Sequence, residues 1–187
     1  MIFINWLEEI PLTHETASTL WTQRTRLYLA ALKGDWNSIK RMPRIQRRIG
    51  MKGETTLHIA AAAKQEDFVN ELLNWMRDNN LITAENVAEN VSLTARNETG
   101  ATALHFAAAV GNVEIAKAML LRDTNGDLPN IATTGENPMK PILMAASSGH
   151  NKMVELLYPK TTMVGNEETE IFITCIKNNL YGKSISI

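Results

Sequence analysis

The stretch Thr102-Ala103-Leu104-His105-Phe106-Ala107-Ala108 decides the fold of this chain, because close variants of it recur along the sequence. The nearest variant is Thr-Thr-Leu-His-Ile-Ala-Ala at 55–61, and looser variants occupy 25–31 and 140–146. The starts of these stretches are separated by 30, 47 and 38 residues. Self-similarity at a spacing of about 20–50 residues is typical of proteins built from stacked repeats. The sequence therefore predicts a repeat architecture with four units.

The residue types within each stretch predict a short helix with defined ends. Thr55 and Thr102 precede apolar runs, where a threonine hydroxyl can accept an otherwise unpaired backbone N–H at a helix start. Pro141 stands at the first helical position of the fourth stretch, where no hydrogen-bond donor is lost. The alanine pairs allow neighbouring helices to approach closely, because a larger side chain would overpack by about 1–3 kcal/mol. Glycines, which accept the left-handed conformation, end three of the helices: Gly34, Gly111 and Gly149.

Downstream of three stretches, aliphatic residues recur at helical spacing and predict a second helix in the same unit. A pair of short helices cannot bury its apolar face alone, but stacking on the next pair buries it. We therefore predict an all-α fold, a solenoid of stacked helix-turn-helix units that forms an α-α superhelix. The apolar positions of the second helices are Phe68, Val69, Leu72, Leu73, Ile115, Ala116, Met119, Leu120, Met153, Val154, Leu156 and Leu157.

These residues resemble the ankyrin repeat, whose signature is Thr-Pro-Leu-His-x-Ala-Ala, then Gly-His and an aliphatic second helix, with a period of about 33 residues. The resemblance implies a capping or variable segment over 1–24 and ankyrin repeats over 25–161. A partial fifth repeat with a truncated C-terminus is expected over 162–187, beginning at Thr169. The four full repeats are expected over 25–52, 53–99, 100–137 and 138–161.

Four short segments resemble a narrower group, the plant ankyrin family with a C-terminal PGG transmembrane domain. The accelerated-cell-death proteins are its best-known relatives. The resemblance implies a cytosolic ankyrin region, with a membrane domain linked to defence or stress signalling. Because the chain carries no PGG domain, we expect it to be the ankyrin half of such a protein. The segments are Leu27–Trp36, Asn97–Leu104, Asp127–Ile131 and Leu156–Thr161.

The composition is that of an ordinary globular chain. It has 187 residues, of which 44% are hydrophobic, and a formal net charge of −1. The longest apolar run, Leu27–Leu32, is far shorter than a membrane-spanning helix, which needs about 20 residues. The single cysteine, Cys175, excludes an intrachain disulfide, and the N-terminus lacks the basic region of a secretory signal. We therefore expect a cytoplasmic protein that reaches the cytosolic face of the plasma membrane through partners.

Basic residues are concentrated in one block near the N-terminus. From Arg24 to Lys52 the chain has nine basic residues and one acidic residue, Asp35, so the block carries a charge of +8. The block is either a solvated face of helix and loop or a surface that attracts an anionic partner. Its only tryptophan is Trp36. Since interleaved aromatic residues for base stacking are missing, we expect no nucleic acid partner.

Residue patterns that would indicate catalysis, a cofactor or a metal are missing from the sequence. His58 and His105 occupy the ankyrin histidine position and His150 follows a glycine, so the three lie in separate repeats. We expect them to form structural hydrogen bonds rather than a metal site. Phosphate-binding loops, nucleophile elbows and zinc-protease pairs do not occur. We therefore expect no enzyme, no cofactor and no bound metal.

The N-terminal residues 1–23 carry several large apolar side chains, among them Trp6 and Trp21. They could cap the exposed apolar side of the first repeat, which every solenoid requires. They could instead form an amphipathic helix that binds a partner or an interface. Both interpretations stay open at this point.

The ankyrin resemblance implies a non-catalytic adaptor that binds an unidentified protein across its loops and first helices. The alternative is a component of a membrane-associated signalling complex that assembles with full-length ankyrin/PGG relatives, and self-association is a further arrangement. Charges on Arg44, Arg47, Arg48 and Lys52 are expected to steer the partner. The candidate partner-binding residues are Leu32, Lys33, Arg44, Arg47, Arg48, Met51, Lys52, Glu54, Ala62, Ala63, Glu98, Thr99, Ala101, Ala109, Val110, Glu136, Asn137, Met139, Ser147 and Ser148.

Overall fold

The chain folds into eight α-helices within the residues that the computed structural model describes, which are 14–79, 92–178 and 180. No β-strand occurs in these ranges, where Arg48 and Thr55 form an isolated bridge. The all-α class predicted from the repeats is therefore confirmed. The helices are α1 (His14–Lys33), α2 (Thr56–Ala62), α3 (Glu66–Asp78), α4 (Ala103–Val110), α5 (Val113–Leu120), α6 (Pro141–Ser147), α7 (Asn151–Leu157) and α8 (Glu167–Lys177).

The helices stack in two layers, as the predicted solenoid requires. The first helix of each repeat contacts the first helix of the next, in the order α1, α2, α4, α6 and α8. The second helices follow the same rule, with α3 against α5 and α5 against α7. Between the layers lies one continuous apolar core. Its largest fully buried side chains are Phe68, Leu27, Ile39, Ile45, Leu57, Leu72, Leu73, Met76, Leu104, Ile115, Met119 and Leu128.

One backbone hydrogen bond recurs at the end of every first helix and defines equivalent positions. An amide five residues further along donates to the carbonyl of Ala30, Ala60, Ala107, Ala145 or Cys175 at 2.9–3.0 Å. In four repeats the residue just before that amide is left-handed, which is the usual way to close a helix end. These residues, with φ between 59° and 79°, are Gly34, Lys64, Gly111 and Gly149.

Both ends of the repeat array differ from the sequence prediction. α1 begins at His14, so Thr25, the expected start of the first repeat, lies inside a continuous helix. The second helix of that repeat is reduced to a 3₁₀ turn over Trp36–Ser38. At the other end, α8 begins at Glu167 rather than at Thr169.

The division of the chain into a cap over 1–24, repeats over 25–161 and a partial repeat over 162–187 stays a prediction. The boundary between residues 24 and 25 falls inside α1. Residues 1–13 of the expected cap lie outside the described residues, and so does the inserted segment 80–91.

Candidate partner-binding surface

Three loops that precede the first helices lie side by side, and we call them the finger loops: 48–55, 97–101 and 133–139. The amide of Glu98 donates to the carbonyl of Lys52 at 2.9 Å, which joins the first finger loop to the second. The amide of Thr134 donates to the carbonyl of Thr99 at 2.8 Å, which joins the second to the third. The finger loops therefore form one connected row along the edge of the stack.

Most of the predicted partner-binding residues lie on this row or at the carboxyl ends of the first helices. Met51 is the most exposed large apolar side chain of the described residues, at 96%. Ala101 differs from the rest, because it is 5% exposed and its backbone pairs with Asn97 and His58. Leu32, Lys33, Arg44, Met51, Lys52, Glu98, Thr99, Glu136, Asn137, Ser147 and Ser148 are exposed, and Arg47, Arg48, Glu54, Ala62, Ala63, Ala109, Val110 and Met139 are half-buried.

Small side chains give the surface a shallow floor beside the finger loops. They are contributed by the ends of three first helices, as the pairs Ala62 and Ala63, Ala109 and Val110, and Ser147 and Ser148. Such a floor lets an extended chain lie close to the helices without a deep cleft. Binding energy would then come from a few larger side chains at its edge, since a few anchors dominate most interfaces.

Basic side chains gather at the N-terminal end of this surface. Arg24 on α1 donates to the carbonyl oxygens of Ile49 and Gly50, both at 2.8 Å. Partial burial, and after it the charges of Arg44 and Arg24, lowers the pKa of Arg47. The three guanidinium groups therefore share one neighbourhood, and Arg24 is a member that the sequence prediction did not include.

Arg48 makes different contacts from its basic neighbours. Its Nη2 donates to the carbonyl of Arg96 at 3.2 Å, across to the segment that leads into the second finger loop. Its Nε is buried and has no acceptor in the described part of the chain. Arg48 therefore connects two loops, whereas Arg44 and Lys52 are exposed to an incoming partner.

His58 links its own repeat to the next one. Its Nδ1 accepts the backbone N–H of Thr55 at 3.2 Å, as part of a capping box at the start of α2. Its Nε2 lies 3.0 Å from the carbonyl of Ala101, in the second finger loop. Because a carbonyl only accepts and a backbone N–H only donates, the ring carries a single proton, on Nε2.

His105 repeats this arrangement one unit later. Its Nδ1 lies 3.0 Å from the amide nitrogen of Thr102, and its Nε2 lies 3.0 Å from the carbonyl of Met139. Burial lowers the pKa of both His58 and His105 to about 4. Both rings are therefore neutral at pH 7 and serve as structural hydrogen-bonding groups, as predicted.

Comparison with known proteins agrees with this geometry. A family model described as ankyrin repeats (3 copies) matches residues 27–129 and 79–167, which together span most of the chain. The chain belongs to the ankyrin-repeat family.

A curated relative of the ankyrin chain is the poly [ADP-ribose] polymerase tankyrase of Caenorhabditis elegans, which is 30% identical over 120 residues. The match covers 62% of this chain and 5% of that protein, so the chain spans a small fraction of the relative's length. Ankyrin repeats are generally non-catalytic. The match therefore carries no evidence of a catalytic activity in this chain.

The fourth ankyrin repeat replaces both residues of the histidine link. Lys140 stands at the threonine position and Leu143 at the histidine position. Nζ of Lys140 donates to the carbonyl of Thr162 and to Oε2 of Glu167, both at 2.7 Å. This partly shielded ion pair connects the fourth ankyrin repeat to α8, where a histidine would otherwise make the connection.

No group of three or more potential metal ligands occurs among the described residues. No helix in the described ranges is long and apolar enough to cross a bilayer. Cys175 is a buried free thiol on α8.

Proposed function

We propose that this ankyrin domain is a non-catalytic recognition module whose partner is an acidic, extended protein segment. The observation that carries the proposal is the cluster of Arg24, Arg44 and Arg47, which the hydrogen bonds of Arg24 join to the finger loop that exposes Met51 and Lys52. None of these basic groups takes part in an ion pair with another described residue. The ion pairs in the described ranges belong to Arg77, Lys117 and Lys140.

The geometry supports an extended segment better than a compact ligand. The connected finger loops and the shallow floor offer a long surface, whereas a small molecule would need a concave pocket. Positive charge at one end would raise the rate of encounter with an acidic segment and fix its direction. Met51 would then act as an apolar anchor for the bound segment.

Reversing two charges on this surface should weaken the binding. We expect the double variant Arg44→Glu, Lys52→Glu to lower the affinity for an acidic peptide about tenfold at low salt, because each reversal replaces attraction by repulsion. Both side chains are exposed, so the fold should be unaffected. Fluorescence anisotropy with a labelled glutamate-rich peptide measures the affinity, and a lysine-rich peptide of equal length tests the sign of the charge preference. Wild-type affinity should also fall as the salt concentration rises.

The matched control is Lys152→Glu, Lys160→Glu, the same change of charge on exposed residues of the fourth repeat. It should bind the acidic peptide within about twofold of the wild type. An equal loss in the control would mean that net charge, rather than this surface, attracts the peptide. If the wild type binds both peptides equally, or neither, the proposal of an acidic partner is wrong.

The narrower resemblance suggests a setting for this recognition. The segments that resemble the plant ankyrin/PGG family support a cytoplasmic role in defence or stress signalling. A second candidate function is membership of a membrane-associated complex with full-length ankyrin/PGG relatives. The observation that favours it is the apolar face that α8 exposes through Phe172 and Ile173.

Co-purification from native membranes with a full-length ankyrin/PGG relative tests this second candidate. Deleting 163–187 removes α8 and should abolish the association, because the exposed apolar face is lost. The double variant Arg44→Glu, Lys52→Glu should associate normally. Association that survives the deletion would show that α8 is not the contact.

A further inference from the structure

Helix α8 exposes an apolar position that every earlier first helix buries. The recurring backbone hydrogen bond, here to Cys175, fixes which residues are equivalent. Phe172 is 49% exposed, although the equivalent side chain is at most 1% exposed in the other four first helices. Ile173 is 44% exposed and Ile176 is 39% exposed. The buried equivalents of Phe172 are Leu27, Leu57, Leu104 and Ile142.

The exposed residues of α8 form one stripe. Ile176 follows Phe172 by four residues and Ile173 by three, so its side chain lies next to both of theirs on one side of the helix. In the earlier repeats the next first helix covers this side. A contiguous apolar stripe bordered by charged residues marks an interaction surface.

The residue at position 176 argues against a further ankyrin repeat as the occupant. The equivalent residue is alanine in all four earlier first helices, and each of these alanines is fully buried. Small residues there let the next helix approach closely. Ile176 would overpack such a contact. The occupant must therefore meet α8 in an arrangement different from that between successive repeats.

The opposite end of the solenoid does not complement this stripe. Arg26 stands where the other first helices bury Thr56, Ala103, Pro141 or Ile171. Its Nη2 donates to the carbonyl of Ser38 at 2.7 Å, and Lys33 lines the same groove. Trp21 and Leu29 also line this groove, but head-to-tail stacking of copies would bury Arg26 and Lys33 against the apolar stripe, so that arrangement is disfavoured.

The charges that border the stripe on one copy of the chain are complementary to the same charges on a second copy. Glu170 and Lys177 are seven residues apart, about two helical turns, so they lie on the same flank of α8. If two α8 helices pack antiparallel about a two-fold axis near Ile173, Lys177 of each copy comes within one turn of Glu170 of the other. Both side chains are exposed, and neither forms an ion pair with another described residue.

We propose that two copies of this chain associate through α8, packed antiparallel against α8 of the partner. Phe172 and Ile173 then cover one another across the axis, and two Glu170–Lys177 pairs flank them. A two-fold contact of this kind is closed and stops at the dimer. It leaves the finger loops of both copies free, so a dimer would present two partner-binding surfaces.

Analytical ultracentrifugation of the whole chain over a wide concentration range tests the proposal. Because one helix pair buries little area, we expect a dimer with a dissociation constant on the order of tens of micromolar. Ile173→Glu should weaken the dimer at least about tenfold, because it buries an unpaired charge in the contact. Leu121→Glu, at a highly exposed apolar residue that follows α5, is the control and should leave the dimer unchanged. Circular dichroism should show that both variants remain folded.

A charge exchange makes the test specific for the antiparallel arrangement. Glu170→Lys and Lys177→Glu should each weaken the dimer, and the double variant should restore it, since the two residues meet only between copies. A wild-type chain that stays monomeric throughout would overturn the proposal. So would a dimer that Ile173→Glu does not weaken, or a double variant that is no better than the single ones. Dimerisation that appears only after residues 181–187 are deleted would show that this segment, and not a second copy, covers the stripe.

Discussion

Lowering the pH from neutral towards 4 should remove several kcal/mol from the free energy of unfolding. His58 and His105 have a pKa of about 4 in the folded chain, against an ordinary value of 6.5. The unfolded chain therefore binds protons more readily, and protonation favours unfolding. The contribution is fully present above pH 6.5 and is lost as the pH falls through the folded-state value of about 4. Each histidine accounts for about 3 kcal/mol at the acid limit.

Urea unfolding across this pH range measures the effect. His58→Gln and His105→Gln are the informative variants, because glutamine is accepted at this position of a capping box but does not titrate. The two histidines together account for one part of the pH dependence of the free energy of unfolding. Each substitution should remove about half of that part. If the double variant loses stability on acidification as steeply as the wild type, the histidines are not its cause.

The parts of this fold that were predictable depend on interactions between residues close in sequence. A threonine followed three residues later by histidine forms the capping box within one helical turn, so the stretches at 55–61 and 102–108 specify their own helix starts. The buried alanine pairs are also a local signal, because the small size of these adjacent side chains is what allows neighbouring helices to stack closely. The all-α class and the structural role of the histidines followed from these signals.

The parts that were not predictable depend on long-range contacts or on competing local signals. Arg24 reaches carbonyl groups 25 and 26 residues away, and nothing near it in the sequence indicates that contact. α1 continues back to His14 because neither glycine nor proline interrupts it. α8 starts before Thr169 because Glu167 and Glu168 favour the positive end of a helix.

The exposed residues of the candidate surface were easier to place than the contacts among them. The variable positions of the repeat pattern alternate with buried ones, so exposure on the finger loops follows from the pattern. Ala101 breaks that rule because both of its backbone groups are held, by Asn97 and by His58. The clustering of Arg24 with Arg47 requires the first finger loop to fold back onto α1, which only the three-dimensional structure shows.

Phe68→Ala should be the most destabilising of the single core truncations, at about 3–5 kcal/mol. Phe68 is fully buried on α3, and its ring meets the ring of Trp36 edge-on at a centroid distance of 5.6 Å. The first repeat has only a 3₁₀ turn in place of a second helix, so this aromatic pair is a main attachment of that turn to α3. Removing the ring therefore leaves a cavity and also removes the aromatic contact that attaches the first repeat to α3.

The place where protection from hydrogen exchange is lost distinguishes the loss of this aromatic attachment from a general weakening of the core. In Phe68→Ala, amide hydrogen exchange should increase first in the Trp36–Ser38 turn and the C-terminal half of α1, while α6 and α7 stay protected. Phe106→Ala is the matched control, because that ring also makes an edge-on contact, with His58 at 5.4 Å, but is only half-buried. Phe106→Ala should lower the free energy of unfolding by less than Phe68→Ala does. It should not increase amide hydrogen exchange in the first repeat. Uniform loss of protection in both variants would mean that the repeats unfold as one unit and that the aromatic pair is no special attachment.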